Sequence, residues 1–221
     1  MALLKEYLEK RGKKVLALRE PGGTLVGEKL RAILLNTHEG ETIDPLTELF
    51  LYEACRVALV RNVIKPALDA GKTVICDRFT DSTIAYQGFG RGIDIKAIET
   101  LNSLASAGVV PDITLLLDIA PEQGLKRAFK RINAKAGLDD KHVEALEKQY
   151  DRDFGLKEDR FEKEPLEFHK KVRVGFLQRA EKEPERFKVI DGSLPADEIH
   201  GKIRGVMERL MKEYKNLPEK K

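Results

Sequence analysis

The chain has 221 residues, 42% apolar and 35% charged, and its 40 basic and 37 acidic side chains leave a net charge of +3. That length suits one domain with a real core. So even a charge balance, with no basic aromatic stripe, argues against a nucleic-acid partner. No apolar run reaches membrane-spanning length, and Met1-Ala2-Leu3-Leu4 is followed at once by Lys5-Glu6, unlike a signal peptide. Cys55 and Cys76 lie in apolar segments without CxxC spacing, and His38, His142, His169 and His200 are scattered. The expectation is a cytoplasmic protein with buried free thiols and no histidine metal site.

Leu3, Leu4, Tyr7 and Leu8 recur at helical spacing up to Gly12, and 14–18 (KVLAL) reads as a buried strand. A Pro-Gly-Gly turn and an amphipathic helix over 27–35 follow. Asp44-Pro45 opens a long helix running to about residue 68, and Gly71 closes it. A second strand is expected over 73–76, a helix over 96–107, a third strand over 113–117 and a helix over 121–131. Residues 132–164 are nearly all charge. A helix over 166–182, a short strand over 187–190 and a last helix over 195–214 complete the chain. Strands that are almost continuously apolar, separated by helices, imply an α/β fold: a parallel sheet with helices on both faces. Ligands bind such sheets at the carboxyl ends of the strands, where the motifs of this chain gather.

At the end of the first strand stands Arg19-Glu20-Pro21-Gly22-Gly23-Thr24, either a plain turn or a close backbone approach to a ligand with charged groups beside it. At the end of the second stands Asp77-Arg78, either an exposed ion pair or a Mg²⁺-holding carboxylate beside a phosphate-gripping guanidinium. The run from Ser82 to Gly92 holds hydroxyls, Tyr86, Gln87 and three glycines. It reads as a surface loop or as the wall of a site for a planar base. Tyr52 and Arg56, four apart on the long helix, share a face that would suit stacking on a base and donation to its carbonyl, or an ordinary surface contact. Arg127, Lys130 and Arg131, with Arg152 and Arg160 farther on, could close a basic lid over a triphosphate or simply face solvent.

Taken in order, REPGGT (19–24), LFLYEACR (49–56), DRFTDSTIAYQGFGRGID (77–94), PDITLLLD (111–118), GLKRA (124–128) and DRFE (159–162) resemble the bacterial thymidylate kinases over nearly the whole chain. The resemblance implies a fold like that of the P-loop nucleoside-monophosphate kinases and transfer of the ATP γ-phosphoryl group to dTMP, with Mg²⁺. It implies a single domain, 1–221, with a charged lid insertion at about 132–164, acting as a homodimer through helices that include 44–68. Tyr52 would stack on thymine, Arg56 would donate to the base carbonyl, and Gln87 with Ser82 and Thr83 would read the base edge. Tyr86 would pack near the deoxyribose. Arg31 and Arg78 would hold the dTMP phosphate, Glu20 and Asp77 would position magnesium and the sugar or phosphate, and Arg127, Arg131 and Arg160 would belong to the lid.

The family begins with a strand and a phosphate loop of the form GxxxxGK[ST], and that motif does not occur in these 221 residues. Residues 1–4 fall where the helix after that loop is expected, so the first, central strand of the sheet is expected to be absent from this chain. The segment between Arg131 and Asp159 is longer than usual for the family, with a helix-like stretch at 143–150. Two alternatives follow: a non-catalytic dTMP-binding protein, and a kinase for another pyrimidine monophosphate such as dUMP.

Overall fold

A computed structural model describes residues 1–36, 42–135, 161 and 164–215. Helix α1 (Ala2–Glu9) leads into strand β1 (Val15–Arg19), helix α2 (Leu25–Leu35) and helix α3 (Pro45–Leu59). α3 runs through a widened π segment, Val60–Ile64, into α4 (Lys65–Asp69), so the long helix expected over 44–68 forms with one wide turn in it. Then come β2 (Thr73–Asp77), α5 (Thr80–Thr83), a second π segment (Ile84–Gly90), α6 (Ile95–Ser106) and β3 (Thr114–Asp118). α7 (Pro121–Lys135), α8 (Leu166–Lys182), β4 (Phe187–Asp191) and α9 (Ala196–Lys215) complete the order. Three starts are set by side chains. Thr24 Oγ1 accepts from Gly27 N, Asp44 from Leu46 N and Thr47 N, and Asp94 from Ala97 N, at the N-termini of α2, α3 and α6.

β1 pairs with β2 in parallel, Val15 opposite Thr73 and Arg19 opposite Asp77, while β3 pairs with β4, Thr114 opposite Phe187 and Asp118 opposite Asp191. The described strands form these two separate parallel ribbons. Side chains alternate across the first ribbon. Val15 and Ile75 join Tyr7, Leu8 and Met207 of α1 and α9, whereas Leu18, Val74 and Cys76 pack on Leu59, Val60 and Ile64. Helices therefore cover both faces, which is the expected α/β class. The strands are less enclosed than their composition suggests: the apolar residues of β1 and β2 are all half-buried. Two-stranded ribbons leave edges and flanks that a continuous sheet would cover.

Ile113, just ahead of β3, shares the α1–α9 cluster with Ile75, which ties the ribbons through their apolar face. A polar clamp ties them again. Arg186 grips Asp81 with two bonds of 2.7 and 2.8 Å and donates to Thr114 Oγ1 at 2.7 Å.

The run 80–90 is helical. Gly88 lies against Ile95 and Ile98, and Phe89, partly buried, packs with Leu49, Ile84 and Ile98. The loop reading of that run fails because its apolar residues fall at helical spacing beneath α8. That approach is close: a Cβ at Gly175 would come within 2.8 Å of the Phe89 ring and 3.0 Å of Ala85 Cα, so only glycine fits on α8 there. Of the charged segment expected at 132–164, α7 extends the helix to Lys135; the helix-like stretch at 143–150 lies outside the described residues.

Candidate functional site

The site is built at the carboxyl end of β1–β2. Glu20 N donates to Asp77 O at 2.9 Å, which prolongs the strand pairing by one bond and sets Glu20 beside Asp77. The Glu20–Pro21 peptide is cis, and Gly22 and Gly23 take φ of +131° and +78°. A left-handed φ at Gly23 is a conformation that side-chain-bearing residues resist. Glu28, in the first turn of α2, closes the turn by accepting from Gly23 N at 2.8 Å and from Arg19 at 2.9 Å. Arg31, one turn on, donates to Pro21 O at 2.9 Å. The 19–24 stretch is thus a braced turn whose Arg19 is spent on bracing it.

Arg56 is the hub. Its side chain is 1% exposed, and all five N–H groups are engaged. Nε and Nη2 donate to Glu20 Oε2 (3.1 and 2.8 Å), Nη2 also to Thr83 Oγ1 (2.8 Å), and Nη1 to Glu53 Oε1 and Asn102 Oδ1 (both 2.7 Å). Four elements converge on one guanidinium. Burial opposes its charge, but Glu20 and Glu53 outweigh that and hold its pKa above the usual value. Burial in turn pushes both glutamates above the ordinary carboxylate range against the pull of Arg56. Glu20 Oε1 and Glu53 Oε2 are buried with no protein partner. Unmet buried acceptors carry a desolvation cost and call for a donor or a cation.

Beside the hub, Arg78 has a left-handed φ of +68°, a conformation that costs energy in a non-glycine residue. Its guanidinium carbon lies 4.8 Å from the centre of the Tyr86 ring, a cation–π contact. Tyr86 also meets Phe161 edge-on at 5.4 Å, and Tyr52 lies 6.3 Å from the same Phe161. The two tyrosines expected around the nucleoside thus share one aromatic neighbour. Gln87 is buried and donates its Nε2 to Glu48 Oε1 at 2.8 Å, and Glu48 is clasped by Arg91 at 3.2 and 3.1 Å. Ser82, half-buried, sits at the start of this helical run, its N–H donating to Phe79 O.

The expected residues Glu20, Arg31, Tyr52, Arg56, Asp77, Arg78, Ser82, Thr83, Tyr86 and Gln87 therefore surround one end of one ribbon. Of the residues expected for the lid, only Arg127 has a described side chain. Arg127, on α7, donates to the carbonyls of Gly192 and Ser193 after β4, both at 2.7 Å. Arg131 lies on the backbone of α7, and Arg160 falls outside the described residues. Sequence reasoning missed Glu48, Glu53, Asn102, Arg91 and Phe161. Glu48 and Glu53 carried one usable signal: acidic residues on the helix face that also holds Tyr52 and Arg56. Asn102 carried none.

Glu20 and Asp77 offer hard oxygen donors, and the unpartnered Glu20 Oε1 suits a divalent cation. No group of three or more such ligands occurs among the described residues, so a Mg²⁺ ion there would keep most of its ligands from water and phosphate.

In a parallel α/β fold ligands bind at the carboxyl ends of the strands, and here arginines and carboxylates gather at that edge. The sequence model of the thymidylate kinase family matches residues 1–203. A thymidylate kinase of Geotalea uraniireducens is 47% identical over 209 residues, covering 94% of this chain and 89% of the relative. One of Citrifermentans bemidjiense is 50% identical over 193 residues, covering 87% and 77%. The crystal structure of thymidylate kinase from Ehrlichia chaffeensis superposes with a TM-score of 0.66 at 33% identity, covering 94% of this chain and 88% of that one. The chain belongs to the thymidylate kinase family, and it is a kinase.

Proposed function

We propose that the protein transfers the γ-phosphoryl group of ATP to dTMP, giving dTDP. Besides family membership, one observation carries this reading: stretches around residues 20, 52–56, 77–78 and 82–87 meet at a single strand end. In phosphoryl transfer the protein supplies positioning and charge rather than covalent chemistry. Arg78 and Arg31 hold the acceptor phosphate, and the strained backbone of Arg78 is the kind of feature that collects at such sites. Tyr52 stacks on the base, Tyr86 packs against the sugar, and Ser82, Thr83 and Gln87 read the base edge. To reach a base carbonyl, Arg56 must exchange one of its bonds, and the neutral Thr83 hydroxyl gives way more cheaply than the charged Glu20 or Glu53. Glu20 and Asp77 hold Mg²⁺ through water, which when bound neutralises charge on the phosphates. Arg127, Arg131 and Arg160 serve the triphosphate side.

The same reading has one domain, 1–221, with its lid at about 132–164, working in the cytoplasm. No described helix is long and apolar enough to cross a membrane. It also has a homodimer formed through α3, on which Leu46 and Phe50 stand exposed one turn apart. The test is ADP release by the 221-residue chain with MgATP and dTMP, repeated with dUMP. Turnover that favours dTMP supports the reading. Saturable dTMP binding without ADP release supports the non-catalytic nucleotide-binding protein instead, a possibility that the absent GxxxxGK[ST] motif keeps open.

A further inference from the structure

Glu48 is fully enclosed, at 0% exposure, yet it belongs to none of the roles assigned above. Glu48, Tyr52 and Arg56 stand four residues apart in a row along α3, so they share one face. The opposite helical run presents Thr83 and Gln87, also four apart. Two polar rungs join the rows: Arg56 donates to Thr83 at one end, and Gln87 donates to Glu48 at the other. Tyr52 lies between the rungs. A base stacked on Tyr52 therefore has Arg56 on one side and Gln87 on the other.

The chemistry of the second rung is one-sided. An ionised carboxylate only accepts, and Arg91 fixes this one with two bonds to its two oxygens. Gln87 can meet it only with its NH₂ group. The amide is then held in one orientation, with its carbonyl oxygen turned away from Glu48. Arg91 is itself anchored a second time, 2.6 Å from Glu164 Oε1, and its guanidinium lies 4.7 Å from the Phe168 ring centre. Arg91 thus holds both oxygens of Glu48, sharing Oε1 with Gln87.

We propose that Glu48 is a specificity-determining positioning residue: through its contact with Gln87 it points an acceptor at the base and so selects pyrimidines that carry an N3–H donor. This rests on the reading of Gln87 and Arg56 as base contacts. Thymine and uracil offer N3–H beside a 4-carbonyl, which matches an amide oxygen and a guanidinium. Cytosine-type bases offer a bare N3 beside a 4-amino group, which opposes both. Sites that read a base by hydrogen bonds reject the wrong partner strongly, because buried polar groups are left unpaired. Replacing Glu48 by an amide removes the one-sidedness, since two amides can pair in either orientation.

The experiment is calorimetric titration of the 221-residue chain and its Glu48→Gln variant with dTMP and with 5-methyl-dCMP, two ligands that differ only at N3 and the 4-position. The native chain is expected to favour dTMP by about 100-fold or more. In Glu48→Gln that preference falls by about tenfold, the effect of one misdirected hydrogen bond. Damage to the fold would weaken both ligands alike and leave the ratio unmoved. Arg91 keeps Glu164 in this variant. Should the variant not fold, Glu48→Met with Arg91→Met removes the buried pair as a unit, a change that stability tolerates better than removing one partner, and the same drop in preference is expected. An unchanged ratio in either folded variant overturns the role of Glu48. A native chain that binds neither nucleotide overturns the reading of the site as well.

Discussion

The two ribbons end in similar-looking ion pairs that differ in everything but length. At the end of β1–β2, Arg56 meets Glu20 at 2.8 Å and Glu53 at 2.7 Å in full burial. At the end of β3–β4, Arg173 meets Asp118 with two bonds of 2.7 Å, but its side chain is 41% exposed. Water competes for the second pair and is shut out of the first. A buried charge that loses its partner has nowhere to turn, whereas an exposed one is simply rehydrated. The two ends also differ in what they leave unmet. The buried hub leaves two carboxylate oxygens unmet, while Arg173 and Asp118 satisfy each other.

The two pairs should differ most at Arg56. Arg56→Ala strands Glu20 and Glu53 without their cation and should cost about 3–5 kcal/mol in chemical denaturation. A loss below about 1 kcal/mol would put the hub in the same class as the exposed pair.

Asp118→Asn should cost less than about 1 kcal/mol. Its sign with pH is fixed. The bond from Arg173, aided by charge, holds the Asp118 carboxyl below its ordinary value of 3.8. The pair therefore contributes stability above that value, and the contribution is lost as pH falls through the lowered one. Native and Asp118→Asn proteins should differ slightly at pH 7 and converge in strong acid. A gap that widens in acid would contradict the assignment.

The smallest effect concerns the thiols. Cys55 is buried and Cys76 half-buried, and both are free. Burial pushes the Cys55 thiol up to about 11 and raises Cys76 further still. An aromatic disulfide reagent at pH 7.5 should leave both unmodified in the folded chain and label both after denaturation, because only the thiolate attacks. Rapid labelling of the native protein would show that the first ribbon opens readily.

The strands and helices were legible because their apolar residues recur at fixed periods and their ends carry Asp-Pro, Thr or glycine signals. The residues around the hub were legible as motifs at strand ends. The partners that hold them were not. Asn102 reaches Arg56 across 46 positions, and nothing on α6 marks it. The run 82–92 read as a base-site wall or a surface loop, its three glycines hiding the helical spacing, and two of them, Gly88 and Gly90, let neighbouring side chains lie close. The half-buried strands also escaped prediction, since their composition is that of an enclosed sheet while the described strands form two ribbons.

The proposed function puts dTMP at the end of β1–β2 and not at the end of β3–β4. Calorimetric titration of dTMP into the native chain, Arg78→Ala and Arg173→Ala tests it directly. The account predicts saturable binding to the native chain, unchanged in Arg173→Ala and weakened about 100-fold in Arg78→Ala, the scale of a lost charged contact to phosphate. Equal affinity in native and Arg78→Ala protein, or a loss confined to Arg173→Ala, would contradict it.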